Sequence, residues 1–523
     1  MPLARIDKIV LSIVLAADSL WKRYQPTAST LQGAPVWDSA EDLTSRGLEA
    51  WRAEVVKLRD ATTRAARGSL SVPGRTVLAE VRRFASEQIL KHKIQRLYDS
   101  RADVYLNLCA FSLLPFYLRS RFSVLPDDMS VALESRLRVC IRWLDWGEKR
   151  VKAGMLEVTD RDRTTSERLL AGLSQWRGLP EPLCSEVIGR LERWREFPLR
   201  NLGRNATSVS LVWYLKEVLG LGMTPDRLFK SLALRLRVEV GRLLKWGVPT
   251  SYSGGLDGGS PIDSVVDPRL DMIKVAEATL KESVRERFLA KTGPRALFLS
   301  APLFAESFIP ECLYLPPTSM GFSFDAPGLV VLPRTMWPKE RQTEHRARMT
   351  VTVAHEVCPG HDEQLRRAAE SPFSPLYSFT KSPVGFEGWG FYAESAVLSM
   401  SEKNEAAGSV AISHRVRRLT AGLWQLAGAL GGLSRLKSTI DRILIPLPLE
   451  ERERLSIFLE RNSGQLSRLL PYCIGILQTE EVLRQVGRTR GINPHGAAAH
   501  EAYLKFGPIL PENALPLIQN GNV

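Results

Sequence analysis

The chain has 523 residues, enough for roughly two to four structural units, and its 44% hydrophobic and 24% charged residues are typical of a globular protein. Its net charge is +14, but basic residues alternate with acidic ones, as in residues 451–454 (ERER), instead of gathering in a tail or along one helix. We therefore expect neither nucleic acid nor a membrane as a partner, although the charge could attract anionic substrates.

The cysteines and the N-terminus bear on the cellular location. The six cysteines contain no CxxC pair, which argues against a thiolate zinc site and a disulfide framework and favours a reducing compartment. An apolar run over residues 9–17 follows Arg5 and Lys8, so a signal peptide is one interpretation. Asp7 and the amphipathic continuation over residues 18–24 favour the first helix of the folded body instead. No run reaches the ~20 apolar residues of a membrane span. The sequence predicts a cytoplasmic protein.

Along the chain, the hydrophobic spacing predicts mostly helices. The first 245 or so residues read as successive amphipathic helices, and the glycine- and proline-rich stretch Trp246–Pro268 reads as a loop or inter-lobe connection. Residues 313–332 contain the one convincing β region, with Leu329–Leu332 as a short apolar strand. Helices resume after Pro338, with breaks at residues 372–383 and near 494. We expect a mainly α fold with a minor β-sheet, in an N-terminal helical lobe (1–250) and a catalytic zinc-binding lobe (251–523), although the lobes could form one continuous fold.

A candidate metal motif lies at residues 352–364 (TVAHEVCPGHDEQ), where His355 and His361 flank Glu356. In the common HExxH arrangement, histidines at i and i+4 share one helical face. Here the second histidine is at i+6, which is ~240° around an ideal helix and therefore on another face. Pro359 and Gly360 lie between the histidines, and this pair breaks helices. The insertion can thus loop out and return His361 to the metal.

A second segment, residues 385–394 (GFEGWGFYAE), supplies candidates for a third ligand. Glu387 and Glu394 are seven residues apart, so they lie on one helical face in otherwise apolar surroundings. Catalytic zinc typically binds two imidazoles and a carboxylate and keeps one position open. One glutamate could bind the metal while the other orients a ligating histidine. Partly buried histidines with structural ion pairs are the competing interpretation.

Together these motifs resemble domain-of-unknown-function family 885, whose pattern reads HExxPGHxxQ followed by EGWxxYxE and is typical of zinc metallopeptidases. The residues that match are His355, Glu356, Pro359, Gly360, His361, Gln364, Glu387, Gly388, Trp389, Tyr392 and Glu394. Trp21–Gly33, residues 472–475 (YCIG) and residues 499–508 are similar to the family's outer motifs. The second segment also resembles the EGFAxYxE element of zinc aminopeptidases, in which the leading glutamate binds the metal. That resemblance favours Glu387 as the ligand.

The resemblance implies a zinc enzyme with one Zn²⁺ per chain, held by His355, His361 and Glu387, and no other cofactor. Glu356 is then the general base, and Glu394 supports a ligand from the second shell. Tyr472 and His500 are candidate donors to the oxyanion on the resemblance alone, and each could instead be a packing residue. Gln364, one turn beyond His361, could bind a ligand or the substrate.

These assignments predict a two-lobed zincin-like metallopeptidase fold with the metal in a deep central cleft. The expected reaction is hydrolysis of a peptide or peptide-like amide, in the manner of a carboxypeptidase, so the partner is a peptide or small amide substrate. Two alternatives stay open. One is a zinc enzyme acting on a single amide or related metabolite of natural-product metabolism, and the other is an inactive relative that only binds its ligand.

Overall fold

The computed structural model describes residues 7–33, 36–37, 39–94, 98, 101–176, 179–199, 210–247, 273–278, 280, 284, 288–289, 296–309, 312–320, 322–323, 326–333, 342–371, 373–398, 405–430, 433–462 and 466–519. Most of these residues are helical, and a small sheet accompanies them, so the predicted mainly α fold with a minor β-sheet is confirmed. Most of the predicted connection Trp246–Pro268 lies outside the described residues.

Helices make up most of the described residues before residue 250, as their hydrophobic spacing predicts. Their bounds are Lys8–Tyr24, Pro26–Leu31, Ser45–Ala65, Val72–Gln88, Asp103–Ser120, Asp127–Lys152, Asp160–Gln175, Glu181–Arg195, Leu211–Trp213 and Pro225–Trp246, with π-helical turns at Ile89–Ile94 and Tyr214–Val218. Side-chain caps mark several of the starts. Thr44 and Ser71, for example, accept hydrogen bonds from the amides of Gly47 and Gly74, which would otherwise lack a partner.

Helices after residue 340 carry both sequence motifs. Their bounds are Gln342–Glu356, His361–Ala369, Pro383–Ala393, Ser395–Leu398, Glu405–Ala429, Leu433–Leu444, Leu449–Asn462, Leu466–Arg490, Ala497–Leu504 and Pro511–Gln519. We call Gln342–Glu356 and His361–Ala369 the first and second motif helices, and Pro383–Ala393 the Glu387 helix. Single 3₁₀ turns span Leu303–Phe308, Pro317–Met320 and Ser374–Ser378.

The small sheet has three strands, β1 (Leu297–Ser300), β2 (Leu313–Leu315) and β3 (Leu329–Leu332). Their order is β1-β3-β2, with β1 parallel and β2 antiparallel to β3. All four residues of β3 are buried, which fits a central strand made only of leucine and valine. The predicted strand at this position is therefore present and forms the middle of the sheet.

Close glycine contacts set the position of the Glu387 helix. Ser382 caps its start by accepting a hydrogen bond from the amide of Gly385 at 3.2 Å, and Pro383 occupies the first turn. A Cβ on Gly388 would lie 2.5 Å from the Cα of Gly475 in the helix Leu466–Arg490. The two backbones thus touch, and this contact brings the helix with Tyr472 against the helix with Glu387.

Three hydrophobic clusters form the core of the described residues, and all three draw on both sides of residue 250. The largest joins the N-terminal helices to both motif helices, through residues such as Trp51 and Val353. Another joins the helix Pro225–Trp246 to the helices Glu405–Ala429 and Leu466–Arg490. The division at residue 250 therefore stays a prediction. None of the helices described is both long and apolar enough to cross a lipid bilayer.

Candidate metal centre

The break between the motif helices brings the two histidines together. The first motif helix ends at Glu356 and the second begins at His361, with a cis Cys358–Pro359 peptide bond between them. A Cβ on Gly360 would overlap the carbonyl oxygen of His355, so glycine is required for this tight return. The imidazole centroids of His355 and His361 are 4.8 Å apart, and both residues are buried. The looped-out geometry expected for the i+6 spacing is thus present.

Glu387 lies between the two imidazoles. Its Oε2 is 3.7 Å from Nε2 of His355 and 3.6 Å from Nε2 of His361. Ligand atoms around a tetrahedral zinc, at bond lengths of 2.0–2.2 Å, are separated by about 3.4 Å. The three donor atoms therefore have the chemical type and nearly the spacing that a zinc ion requires.

Glu356 is the second carboxylate at this position. His355, Glu356 and His361 form a group whose ligand atoms lie within 4.8 Å of one another and could hold a metal ion. Glu356 Oε1, however, is 4.0 Å from Nε2 of His355 and accepts a hydrogen bond from the thiol of Cys312 at 2.9 Å. Glu387 lies closer than Glu356 to Nε2 of His355 and is also near Nε2 of His361, so these distances favour Glu387 as the third ligand of a bound metal. The carboxylate of Glu356 lies beside this group of donor atoms.

Glu394 fixes the orientation of His355 from behind. Its Oε1 lies 2.9 Å from Nδ1 of His355 and 2.5 Å from Nη1 of Arg418, and the carboxylate is fully buried. Burial opposes the charge on Glu394, but Arg418 and His355 outweigh it and lower the pKa of the carboxyl to about 2. An ionised Glu394 accepts the Nδ1 proton of His355, so Nε2 presents its lone pair to the metal position.

His361 is held by packing rather than by a polar partner. Its Nδ1 is buried and has no hydrogen-bond partner in the described part of the chain. The imidazole instead stacks on the ring of Phe386, with centroids 3.7 Å apart and planes 6° from parallel. Gly390 makes room on the other side, because a Cβ there would lie 2.7 Å from Cε1 of His361 and 2.8 Å from Nε2 of His355. The Glu387 helix thus has a notch that accommodates both rings.

The charges of the site are strongly coupled. Burial would lower the pKa of His355, but the nearby carboxylates of Glu387 and Glu394 raise it to about 10. Burial would likewise raise the pKa of Glu387, but the two imidazoles hold it well below its ordinary value. A proton on His355 therefore partly offsets the charge of the surrounding carboxylates. A divalent cation bound among these groups would take over this role and would compete with the proton for the same nitrogen.

Tyr472 lies at the same site, as the resemblance implies. Its ring is 6.1 Å from that of His355 at an angle of 24°, and the guanidinium of Arg418 lies 5.0 Å above it. The side chain is half-buried. Tyr472 therefore borders the metal position, where its hydroxyl could serve as a donor to substrate.

His500 belongs to a different network, on the far side of the Glu387 helix. Its Nδ1 donates to the carbonyl oxygen of Phe288 at 2.8 Å, and its Nε2 lies 2.9 Å from the hydroxyl of Tyr392. Burial lowers the pKa of His500 to about 4, so both nitrogens of a neutral ring are occupied. A role as oxyanion donor stays a prediction, and the described contacts fit a packing role better.

Gln364 is bound to the protein through one end of its side-chain amide. The residue is fully buried, and its Nε2 donates to the carbonyl oxygen of Gly385 at 3.0 Å, whereas its Oε1 has no hydrogen-bond partner in the described residues. The bond from Nε2 ties the second motif helix to the first turn of the Glu387 helix. The contact of Gln364 with a ligand or substrate stays a prediction.

Several residues of the site were missed by the sequence reasoning. Cys312 lies 44 positions before Glu356, and Arg418 lies 24 positions after Glu394. No local spacing connects either of them to the motifs. Phe386 and Gly390 lie inside the second motif, and alternation of glycine with aromatic residues there could have indicated a helix packed closely against flat rings.

Comparison with known proteins agrees with this fold and with the family resemblance. Two solved structures are similar over nearly their whole length, each described as a "putative lipoprotein", one from Colwellia psychrerythraea and one of unknown function from Shewanella oneidensis. The first has a TM-score of 0.64 at 14% identity and covers 98% of this chain and 99% of its own. The second has a TM-score of 0.60 at 15% identity and covers 97% and 99%. Identities this low establish the shared fold alone.

Residues 266–411 match the model of a family described as "Bacterial protein of unknown function (DUF885)". This range contains both motifs, and the match supports the resemblance drawn from them. No curated protein matches the chain. The family description assigns no activity, so any function must be argued from the site itself.

Proposed function

We propose that the chain is a zinc-dependent hydrolase that cleaves a peptide or peptide-like amide bond, with the metal held by His355, His361 and Glu387. The observation that carries the proposal is the position of Glu387, whose Oε2 lies 3.6 and 3.7 Å from the Nε2 atoms of the two histidines. Two imidazoles and one carboxylate are the donor set of catalytic zinc sites, whereas magnesium and calcium prefer oxygen donors alone. All of these ligands lie within residues 266–411, the range that matches the family model.

The chain's own residues then perform the proton transfers. Bound zinc would supply a Lewis acid that polarises the amide carbonyl and lowers the pKa of water. Glu356 accepts a proton from the attacking water at its carboxylate and delivers it to the leaving nitrogen as the C–N bond breaks. Tyr472 donates to the oxygen on which negative charge develops. Glu394 keeps His355 in the tautomer that directs Nε2 at the metal.

The proposed architecture is a zincin-like fold in which two lobes enclose a central cleft with the metal at its floor. The partly exposed Glu387, at 25% side-chain exposure, supports an opening on the side where its carboxylate lies. An inactive relative that only binds its ligand would not need Glu356. The presence of that carboxylate 4.0 Å from Nε2 of His355 therefore favours an enzyme.

The test compares zinc-loaded wild-type protein with Glu356→Gln on a peptide library and on a panel of small N-acyl amides. We expect wild-type hydrolysis and a loss on the order of 10²–10⁴-fold in Glu356→Gln, with zinc content unchanged. Glu370→Gln, which alters an exposed carboxylate just beyond the second motif helix, is the matched control and should remain active. Activity on one small amide alone would favour the metabolic alternative. Full activity of Glu356→Gln would contradict the proposed base.

A cytoplasmic location stays a prediction for this chain. The two similar structures are described as lipoproteins, and a related location would place this protein at a membrane outside the cytoplasm. Cell fractionation distinguishes the cytoplasmic location from the membrane location. The prediction requires that the protein is recovered with cytosolic markers, and its recovery with the membrane fraction would contradict the prediction.

A further inference from the structure

Lys381 is a half-buried cation close to the candidate metal site. It lies two residues before the first residue of the Glu387 helix, and its Nζ lies 5.9 Å from the ring centroid of Phe386. The same ring stacks on His361 at 3.7 Å. These two distances place the ammonium group within about 10 Å of the imidazole of His361.

Within the described part of the chain, no carboxylate pairs with this ammonium group. Its one hydrogen bond goes to the backbone carbonyl of Gln32 at 3.1 Å, and burial without a countercharge lowers the pKa of Lys381 to about 7. The structural alternative is a cap on the C-terminal end of the helix Pro26–Leu31. The C-terminal end of a six-residue helix, however, carries only a fraction of a negative charge. The hydrogen bond to Gln32 also uses only one of the three N–H donors of the Lys381 ammonium group. Partial burial of a charged lysine without a paired anion costs free energy, and a bound anion would reduce that cost.

Two further polar atoms without partners lie in or beside the segment Gln32–Gly33. Oε1 of Gln32 is buried and has no hydrogen-bond partner in the described residues, and Oγ1 of Thr318 is in the same state. Thr318 abuts the next residue, because a Cβ on Gly33 would lie 2.5 Å from that hydroxyl oxygen. Gly33 has φ +92°, a conformation that favours glycine. The ammonium group of Lys381 and the hydroxyl of Thr318, both able to donate, thus lie beside the adjacent residues Gln32 and Gly33, whereas the unpaired oxygen of Gln32 can only accept.

We propose that Lys381, together with the hydroxyl of Thr318, binds the free carboxylate of the substrate on the leaving-group side of the scissile amide. This inference rests on the proposed hydrolase function and defines its substrate class as peptides or N-acyl amino acids with a terminal carboxylate. That carboxylate is one residue from the scissile bond, and consecutive residues are about 3.8 Å apart. A bond from the metal to the scissile carbonyl oxygen adds to this length at one end, and a hydrogen bond from the ammonium group to the carboxylate adds to it at the other. The resulting distance from the metal to Nζ is on the order of 10 Å, which agrees with the position of Lys381.

The reaction then releases the carboxyl-terminal residue. Water adds to the carbonyl carbon, the C–N bond breaks, and the nitrogen receives the proton carried by Glu356. The products are a shortened acid and a free amino acid, and Lys381 takes no part in the proton transfers. Its role is binding alone, so its removal should raise KM more than it lowers kcat.

The experiment uses zinc-loaded full-length protein and two matched libraries of N-acetylated tripeptides, one with a free C-terminal carboxylate and one amidated. Wild type should prefer the free acids by at least about tenfold in kcat/KM. Lys381→Gln should lose about 10- to 100-fold on the free acids, as expected for a charge-assisted hydrogen bond, and should be unchanged on the amides. Lys381→Arg should restore most of the preference.

Lys437→Gln provides the matched control, because Lys437 also lies over an aromatic ring, 5.2 Å from Trp424, but on an exposed helix surface. It should leave both rates unchanged. Lys381→Gln removes an unpaired cation, so its midpoint of thermal unfolding should not fall. Equal cleavage of the free acids and the amides by wild type would overturn the inference and leave the hydrolase function standing. An equal loss of activity on both libraries in Lys381→Gln would do the same. Cleavage of neither library by wild type would overturn the hydrolase function and this inference together.

Discussion

Gly390→Ala introduces a single methyl group between the helix and the metal-binding rings. The new Cβ would lie 2.7 Å from Cε1 of His361 and 2.8 Å from Cε1 and Nε2 of His355. Ordinary contacts begin near 3.4 Å, so each ring must retreat by about 0.6–0.7 Å. Zinc sites tolerate deviations of about 0.2 Å in their ligand distances. The metal-free protein can rotate the rings away, whereas the zinc-bound form cannot, and the strain therefore falls on zinc binding.

Overpacking of this kind costs about 1–3 kcal/mol, which corresponds to zinc binding weakened about 5- to 150-fold. Competition with a chromophoric chelator measures this affinity directly, and circular dichroism verifies that the helices persist. Gly241→Ala is the control, because this helical glycine has nothing within 4 Å of its added Cβ. That variant should bind zinc normally and gain about 0.5–1 kcal/mol in stability. Wild-type zinc affinity in Gly390→Ala would refute the placement of the metal between these rings.

Other predictions follow from the same site. Glu387→Ala should purify largely without zinc, whereas Glu394→Ala should bind it ~10–100-fold more weakly; metal titration giving the reverse order would move the ligand to Glu394. Because the pKa of His355 is raised to about 10, zinc must displace its proton, and apparent zinc affinity should rise about tenfold per unit between about pH 7 and 9; a flat profile would contradict this. The same proton stabilises metal-free protein fully below about pH 6.5, and that stability is lost as the pH rises through 10. Tyr472→Phe should lower kcat about 10²–10³-fold with zinc retained, whereas His500→Gln should mainly lower the unfolding temperature; the opposite pattern would make His500 the donor.

The fold class could be predicted because helix and strand periodicities are local properties of the sequence. Stripes such as Leu48, Trp51 and Val55 specify a helix with one buried face. The run Leu329–Leu332 specifies a central strand. The packing of the helices against one another could not be predicted from the sequence, because contacts such as that between Gly388 and Gly475 join positions 87 residues apart. No periodicity encodes such a contact.

The candidate site likewise contains residues that the sequence could predict and residues that it could not. His355, Glu356, His361 and Glu387 could be proposed from spacing and resemblance, since the break at Gly360 has a physical signature in the sequence. The partners that tune the site could not, because they come from distant segments. Lys381 is the clearest case, since its significance depends on its having no carboxylate partner among the described residues, which a sequence does not display.

The zinc position itself tests the central claim most directly. Crystals of protein purified without added metal, measured on both sides of the zinc absorption edge, give an anomalous difference map that identifies the element and its place. The account predicts one peak per chain, about 2.0–2.2 Å from Nε2 of His355, Nε2 of His361 and a carboxylate oxygen of Glu387. A well-ordered site without a zinc peak after incubation with zinc, or a peak held by other residues, would contradict it.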